Sequence, residues 1–184
     1  MATSTEFSLT DAVAILTRTP ATLNALLRGL PDVWVRSNEG QDTWNAFDIM
    51  GHMIVGERTD WIPRVRIILE TGEARPFDSF DRFAQSRENP NRSLEQLLDE
   101  FTRLRGENLA ALQALNLQPE DLKRRGKHPA LGVVTLSQLL STWAVHDLTH
   151  IHQLSRVMAH QYRDAVGPWS AYLGVLKCSG HSAP

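Results

Sequence analysis

The chain has 184 residues, a net charge of -2 and 42% hydrophobic residues. That length predicts one domain over residues 1–184, able to bury roughly 70% of its unfolded surface without disulfide staples. The charge gives no basis for binding nucleic acid or a membrane surface. No apolar run approaches the ~18 residues of a membrane span, and Met1 to Leu9 lack the basic and apolar regions of a secretory leader. The one cysteine, Cys178, excludes an intrachain disulfide and fits a reducing, cytoplasmic setting.

Residues 8–30 read as helix, capped by Ser8 or Thr10. Pro20 disfavours helix at Thr19, so a short helix, a kink and a second short helix are expected. Residues 31–44 read as a connection holding Trp34, Gly40 and Trp44. Asn45 and Asp48 then form a capping box with Asp in place of Glu, opening a helix through Ile49, His52, Met53, Val55 and Trp61. Pro63 kinks this helix or starts a new segment that runs to Gly72. His52 lies in its second turn. Gly56 is on the same face, and either leaves room for a ligand or admits a neighbouring helix. Glu57 is about 140° away from the His52 direction.

Residues 73–92 form a long connection with an apolar side of Phe77, Phe80 and Phe83, suited to a lid or an interface. Ser93 and Gln96 make a second capping box. The helix they open buries Leu94, Leu97, Leu98, Phe101, Leu104, Ala111, Leu112 and Leu115. Glu95, Asp99, Arg103 and Glu107 form its solvated face. Residues 117–134 are polar and turn-rich and read as loop, with His128 in solvent. The run Lys123 to Lys127 is too short and too well balanced for nucleic acid.

A third capping box, Thr135 with Gln138, opens the last long helix, with Leu136, Leu139, Leu140, Trp143, Leu154 and Val157 at helical spacing. His146 and His150 are four apart, so they lie about 40° from each other on one face and can reach one point. His152 points elsewhere, and Gln153 returns to the face of His146. Two packed, metal-free histidines would show the same spacing, so a metal site needs a third ligand from another helix. A short apolar segment, Trp169 to Leu176, follows the Gly167-Pro168 break. Residues 179–184 read as a tail, in which Cys178 and His181 make no convincing site. Four long helical regions and no convincing strand give an all-α chain. Its architecture is a four-helix bundle whose long connections, 73–92 and 117–134, allow crossovers.

From about Asp11 to Leu173 the chain resembles the DinB-like superfamily of bacterial metal-binding four-helix bundles. The likeness rests on Trp44-Asn-Ala-Phe-Asp48 leading to His52, and on Thr135-Leu-Ser-Gln-Leu-Leu leading to His146-Asp-Leu-Thr-His150. It implies a fold of DinB type and metal ligands at His52, His146 and His150, with Asp147, His152 and Gln153 not carried over as ligands. Some members resemble S-transferases and isomerases dependent on bacillithiol or mycothiol. Members are often homodimers, so a homodimer is expected.

Three neutral imidazoles leave a divalent metal with its full charge and an open position. Zinc, nickel and iron(II) all accept three histidines. Such a metal can acidify water or hold a thiolate. No carboxylate is clearly placed as a base in the sequence, which favours a metal-dependent thiol S-transferase taking a small-molecule thiol and an electrophilic substrate. A metal-dependent hydrolase and a non-catalytic metal-binding or stress-related bundle are the alternatives. Catalytic residues are not assigned. Gln153 can orient a bound group. Asp147 either accepts a hydrogen bond from a ligand's second N–H or is solvated.

Overall fold

The computed structural model describes residues 6–81, 84 and 92–178. Phe83, His181 and the tail 179–184 lie outside the described residues. Helix α1 spans Leu9–Leu27, α2 Asp32–Val35, α3 Ala46–Thr59, α4 Trp61–Glu70, α5 Leu94–Ala114 and α6 Leu136–His160. A hairpin of β1 (Arg125–His128) and β2 (Gly132–Thr135) precedes α6. Short 3-10 turns cover Gly72–Ala74, Asp121–Lys123, Gly167–Tyr172 and Gly174–Leu176. No helix among the described residues is long and apolar enough to cross a membrane.

The three capping boxes form as expected, at Asn45/Asp48, Ser93/Gln96 and Thr135/Gln138. They fix the starts of the three helices that follow. α1 packs on α5 and α6, and α3 packs on the same two helices. Consecutive α1 and α3 therefore sit diagonally, as do α5 and α6. The chain crosses the bundle between α1 and α3 and again through residues 117–134, while the 73–92 connection joins neighbours.

Pro20 does not split α1. The helix runs through it unbroken. Proline removes the N–H that would bond to the Leu16 carbonyl. Arg105 Nη1 of α5 donates to that oxygen at 2.9 Å instead. Two other expectations also fail. The 117–134 segment contains the β-hairpin, not only loop. Its backbone pairs across four residue positions, and Phe77 N–H extends the pairing to Lys127 O at 2.9 Å. Gly126 makes this seat possible, because a Cβ there would lie 2.7 Å from Ile68 Cγ1. The 31–44 connection also holds a helical turn, α2. Pro63 falls inside α4, and the break from α3 comes at Asp60.

The core forms two apolar clusters. One surrounds Leu16, Trp61, Ile68, Leu112 and Trp143. The other surrounds Leu23, Met50, Ile54, Phe101 and Leu154. A buried polar layer takes one residue from each of the four bundle helices: Thr19, Glu57, Arg105 and Asp147. Arg105 Nη2 donates to Glu57 Oε1 at 2.7 Å and to Asp147 Oδ1 at 2.9 Å, and Nη1 donates to Asp147 Oδ2 at 2.5 Å. Thr19 Oγ1 donates to Asp147 Oδ2 at 2.5 Å, Trp143 Nε1 to Glu57 Oε1 at 3.0 Å, and Asn108 Nδ2 to Glu57 Oε2 at 3.0 Å.

Removing the one cation of this layer leaves two buried carboxylates without a counter-charge, a change that costs ~3–5 kcal/mol. Arg105→Met is therefore expected to lower unfolding free energy by about that amount in urea titrations. The triple variant Arg105→Met/Glu57→Gln/Asp147→Asn is expected to recover part of the loss. Equal stability of wild type and Arg105→Met would show that the layer does not hold the helices.

Candidate metal centre

α3 and α6 bring His52, His146 and His150 together. Their donor atoms lie within 4.8 Å of one another. His146 Nε2 is 3.1 Å from His52 Nε2 and 3.1 Å from His150 Nε2. The i, i+4 spacing on α6 places two of the rings, and packing of α3 on α6 brings the third. Bonds of about 2.0–2.1 Å would set neighbouring nitrogens about 2.9 Å apart at right angles and about 3.4 Å apart in a tetrahedron. The two 3.1 Å separations from His146 fall between these limits.

The protonation pattern also suits a cation. Gln153 Oε1 accepts from His150 Nδ1 at 2.8 Å, so the Nε2 lone pair of His150 faces the cluster. His146 Nδ1 is buried without a hydrogen-bond partner. With Nε2 deprotonated on all three rings, lone pairs would crowd at 3.1 Å unless a cation shared them. The donor set therefore fits a divalent metal.

Gln153 is buried, its amide oxygen serves His150, and the residue also lines the cavity. Asp147 takes neither of the roles expected for it. It is 1% exposed, so it is not solvated. Its oxygens are committed to Arg105 and Thr19, and His146 Nδ1 finds no acceptor. Glu57 is likewise locked in the polar layer. His152 is exposed and turned away, and Cys178 is exposed at the far end of the chain.

The histidines form part of the wall of a cavity of about 860 Å³, shared with Trp44, Gly56, Asp60, Arg64, Phe80 and His128. Trp44 and Phe80 lie with ring centroids 4.9 Å and 5.1 Å from that of His52. Trp61 meets His146 edge-on at 5.1 Å and stacks on Trp143 at 5.6 Å. Gly56 borders the cavity, and a Cβ there would meet Trp61 Nε1 at an ordinary 3.5 Å.

A family model described as the DinB superfamily matches residues 15–154. The chain belongs to the DinB superfamily. Among solved structures it is similar to YfiT from Bacillus subtilis, described as a probable metal-dependent hydrolase with an unusual four-helix bundle topology. Identity is 18%, the TM-score is 0.71, and the match covers 90% of this chain and 92% of YfiT, a likeness of fold. No curated protein matches the sequence.

In this DinB member several cavity residues escaped sequence reasoning. Asp60 is a carboxylate on the cavity wall. It is eight residues beyond His52, about 80° round the same helix, so the spacing offered a signal. Burial pushes its pKa up to about 6, against the opposing pull of Arg64 and a hydrogen bond with Thr59. Arg105 had a signal too, since it falls on the apolar stripe between Phe101 and Leu112. His128 gave none, because its place depends on the hairpin.

Burial, the neighbouring rings of His150 and His52, and the Arg105 charge hold His146 well below the ordinary histidine pKa. Burial also lowers His150, offset by the Gln153 hydrogen bond and the Asp147 charge. Both pKa values are depressed in the folded chain. Below pH 6.5, the ordinary histidine value, the unfolded chain takes up protons that the folded chain refuses, so stability present above that pH is lost as pH falls. Asp60 acts oppositely between its ordinary 3.8 and about 6. Chelator-treated protein is expected to lose thermal stability from pH 7 to 5, with a shallower fall in His146→Ala. Identical pH slopes for the two proteins would contradict the buried, neutral imidazoles.

Proposed function

We propose that the protein is a divalent-metal-dependent hydrolase. The observation that carries this reading is the convergence of three imidazole Nε2 atoms on a cavity that also holds a carboxylate of raised pKa. YfiT, the similar bundle, is described as a probable metal-dependent hydrolase. His52, His146 and His150 would hold the metal, with zinc, nickel and iron(II) as the candidates. A divalent ion so held supplies Lewis-acid polarisation and acidifies water toward pH ~7.

The chain's own residues do the rest. Asp60 accepts the proton of the attacking water. With a pKa of about 6 it is mostly ionised at neutral pH yet basic enough to take a proton. Gln153 keeps His150 in the tautomer whose Nε2 lone pair faces the cluster. Trp44 and Phe80 wall the His52 side with apolar surface and limit water there.

A second reading, thiol S-transfer, is supported by the cavity's size. About 860 Å³ is ample for a small-molecule thiol beside an electrophile. The thiol would have to be a co-substrate, because the chain's one cysteine is exposed at Cys178.

Metal content and turnover separate these readings. Untagged protein is expected to carry about one metal per chain, lost in His52→Ala and His146→Ala. Protein loaded with zinc, nickel or iron(II) is then screened on esters and amides with and without thiol. Asp60→Asn is expected to keep its metal, lose about 10²–10⁴ in kcat and lose the acidic limb near pH 6. Turnover that absolutely requires bacillithiol, mycothiol or glutathione would replace hydrolysis by S-transfer. Full metal loading without turnover of either kind would leave a non-catalytic metal-binding bundle.

A further inference from the structure

Arg105 and Arg64 are both buried, but their surroundings differ. Arg105 bonds two carboxylates and a backbone carbonyl, and its guanidinium lies over Phe101 and Trp143. Arg64 forms one ion pair among the described residues, with Asp60 at 2.8 Å from Nη2, feels the charge of Asp78 as well, and lies 5.4 Å from the Phe77 ring centroid. A guanidinium carries five N–H donors in a planar fork. Most of those on Arg64 have no hydrogen-bond partner among the described residues, and Arg64 lines the cavity that holds the three histidines.

A second donor stands on the same wall. His128 Nδ1 accepts from the backbone N–H groups of Ala130 and Leu131, each at 3.1 Å. Two N–H groups aimed at Nδ1 exclude a proton there, so the proton of the neutral ring sits on Nε2. Burial and the Arg64 charge both lower the pKa of His128, which keeps the ring neutral and Nε2–H a donor. The hairpin turn therefore presets the tautomer of a half-buried cavity residue.

We propose that Arg64 and His128 Nε2–H form an anion-recognition subsite of the histidine cavity, and that the substrate carries a carboxylate apart from the bond that reacts. The substrate class rests on the reading of this cavity as the reaction site. A carboxylate suits the subsite better than a phosphate. One guanidinium beside one neutral donor matches two oxygens, and Asp60 next to Arg64 repels a dianion more than a monoanion. The polar layer shows that one guanidinium in this protein can hold two carboxylates at once.

The test uses the full chain with phenylacetate, phenylacetamide and inorganic phosphate as probes, read by quenching of tryptophan fluorescence and by calorimetry. It is run on metal-loaded and on chelator-treated protein. Phenylacetate is expected to bind about tenfold more tightly than phenylacetamide or phosphate, a ratio of the size one charge-assisted bond gives. The preference is expected to persist without metal, to vanish in Arg64→Gln, and to fall severalfold in His128→Phe. Because Arg64→Gln strands the buried Asp60, the pair variant Arg64→Gln/Asp60→Asn accompanies it, with circular dichroism to show that it is folded. Equal binding of acid and amide, or a preference that survives in the folded pair variant, would overturn the subsite. So would a preference found only with metal present, since the carboxylate would then be bound at the histidines. A preference that persists in a chain taking up no metal would instead sink the hydrolase reading and leave the anion subsite standing.

Discussion

One buried guanidinium ties the bundle together. Arg105 reaches from α5 to a carboxylate on α3, a carboxylate on α6 and a main-chain carbonyl on α1. Dispersion and hydrophobic burial in the two apolar clusters supply most of the driving force, but apolar contacts are non-directional. The polar layer is directional. A slip of α3, α5 or α6 by one turn would strand a charge in the interior. It thereby sets the level at which α3 and α6 face each other, and with it the meeting of His52 with His146 and His150. Asp147 lies between the two α6 ligands in sequence, so the residue that registers the helix is neighbour to those that face the cavity.

The same layer sets the charge under the site. Two carboxylates share one guanidinium, an excess of one acidic group among these three. Such an excess is costly alone. Above it stand His146 and His150, whose pKa values burial lowers, one with its tautomer chosen by Gln153. A cation at the imidazoles would offset the charge below and satisfy the lone pairs above, so the two features support each other.

Much of the frame was legible in the sequence because it is local. Capping boxes depend on residues three apart, and the HxxxH pair on residues four apart. Those rules hold wherever the helix packs. What escaped depends on partners far along the chain. The Pro20 kink was expected because proline lacks an N–H, but Arg105, 89 positions from Leu16, satisfies the carbonyl left over. Asp147 read as a possible partner of a ligand or of water, because nothing local announces Arg105 and Thr19. The hairpin read as loop because its charged and glycine-containing strand is held by Gly126 fitting against Ile68 and Phe77.

The site divides along the same line. Its three nitrogen donors sit on helices, held by the bundle core. Of its other walls, Arg64 and Gly56 also stand on helices, whereas Trp44 comes from the connection before α3, Phe80 from the one after α4, His128 from the hairpin, and Asp60 from the break between α3 and α4. The connection bearing Trp44 is anchored by a two-point ion pair, Arg156 Nε and Nη2 on Glu39 at 2.7 and 2.8 Å, so it is a built wall rather than a loose cover. Helical packing is what this chain shares with YfiT at 18% identity, a likeness of fold. Connections are freer to vary than packed helices, and function on a shared fold is set by such segments. Membership of the superfamily therefore bears on the packing that brings the three histidines together, whereas in the function proposed above the choice of substrate falls to Asp60, Arg64 and His128.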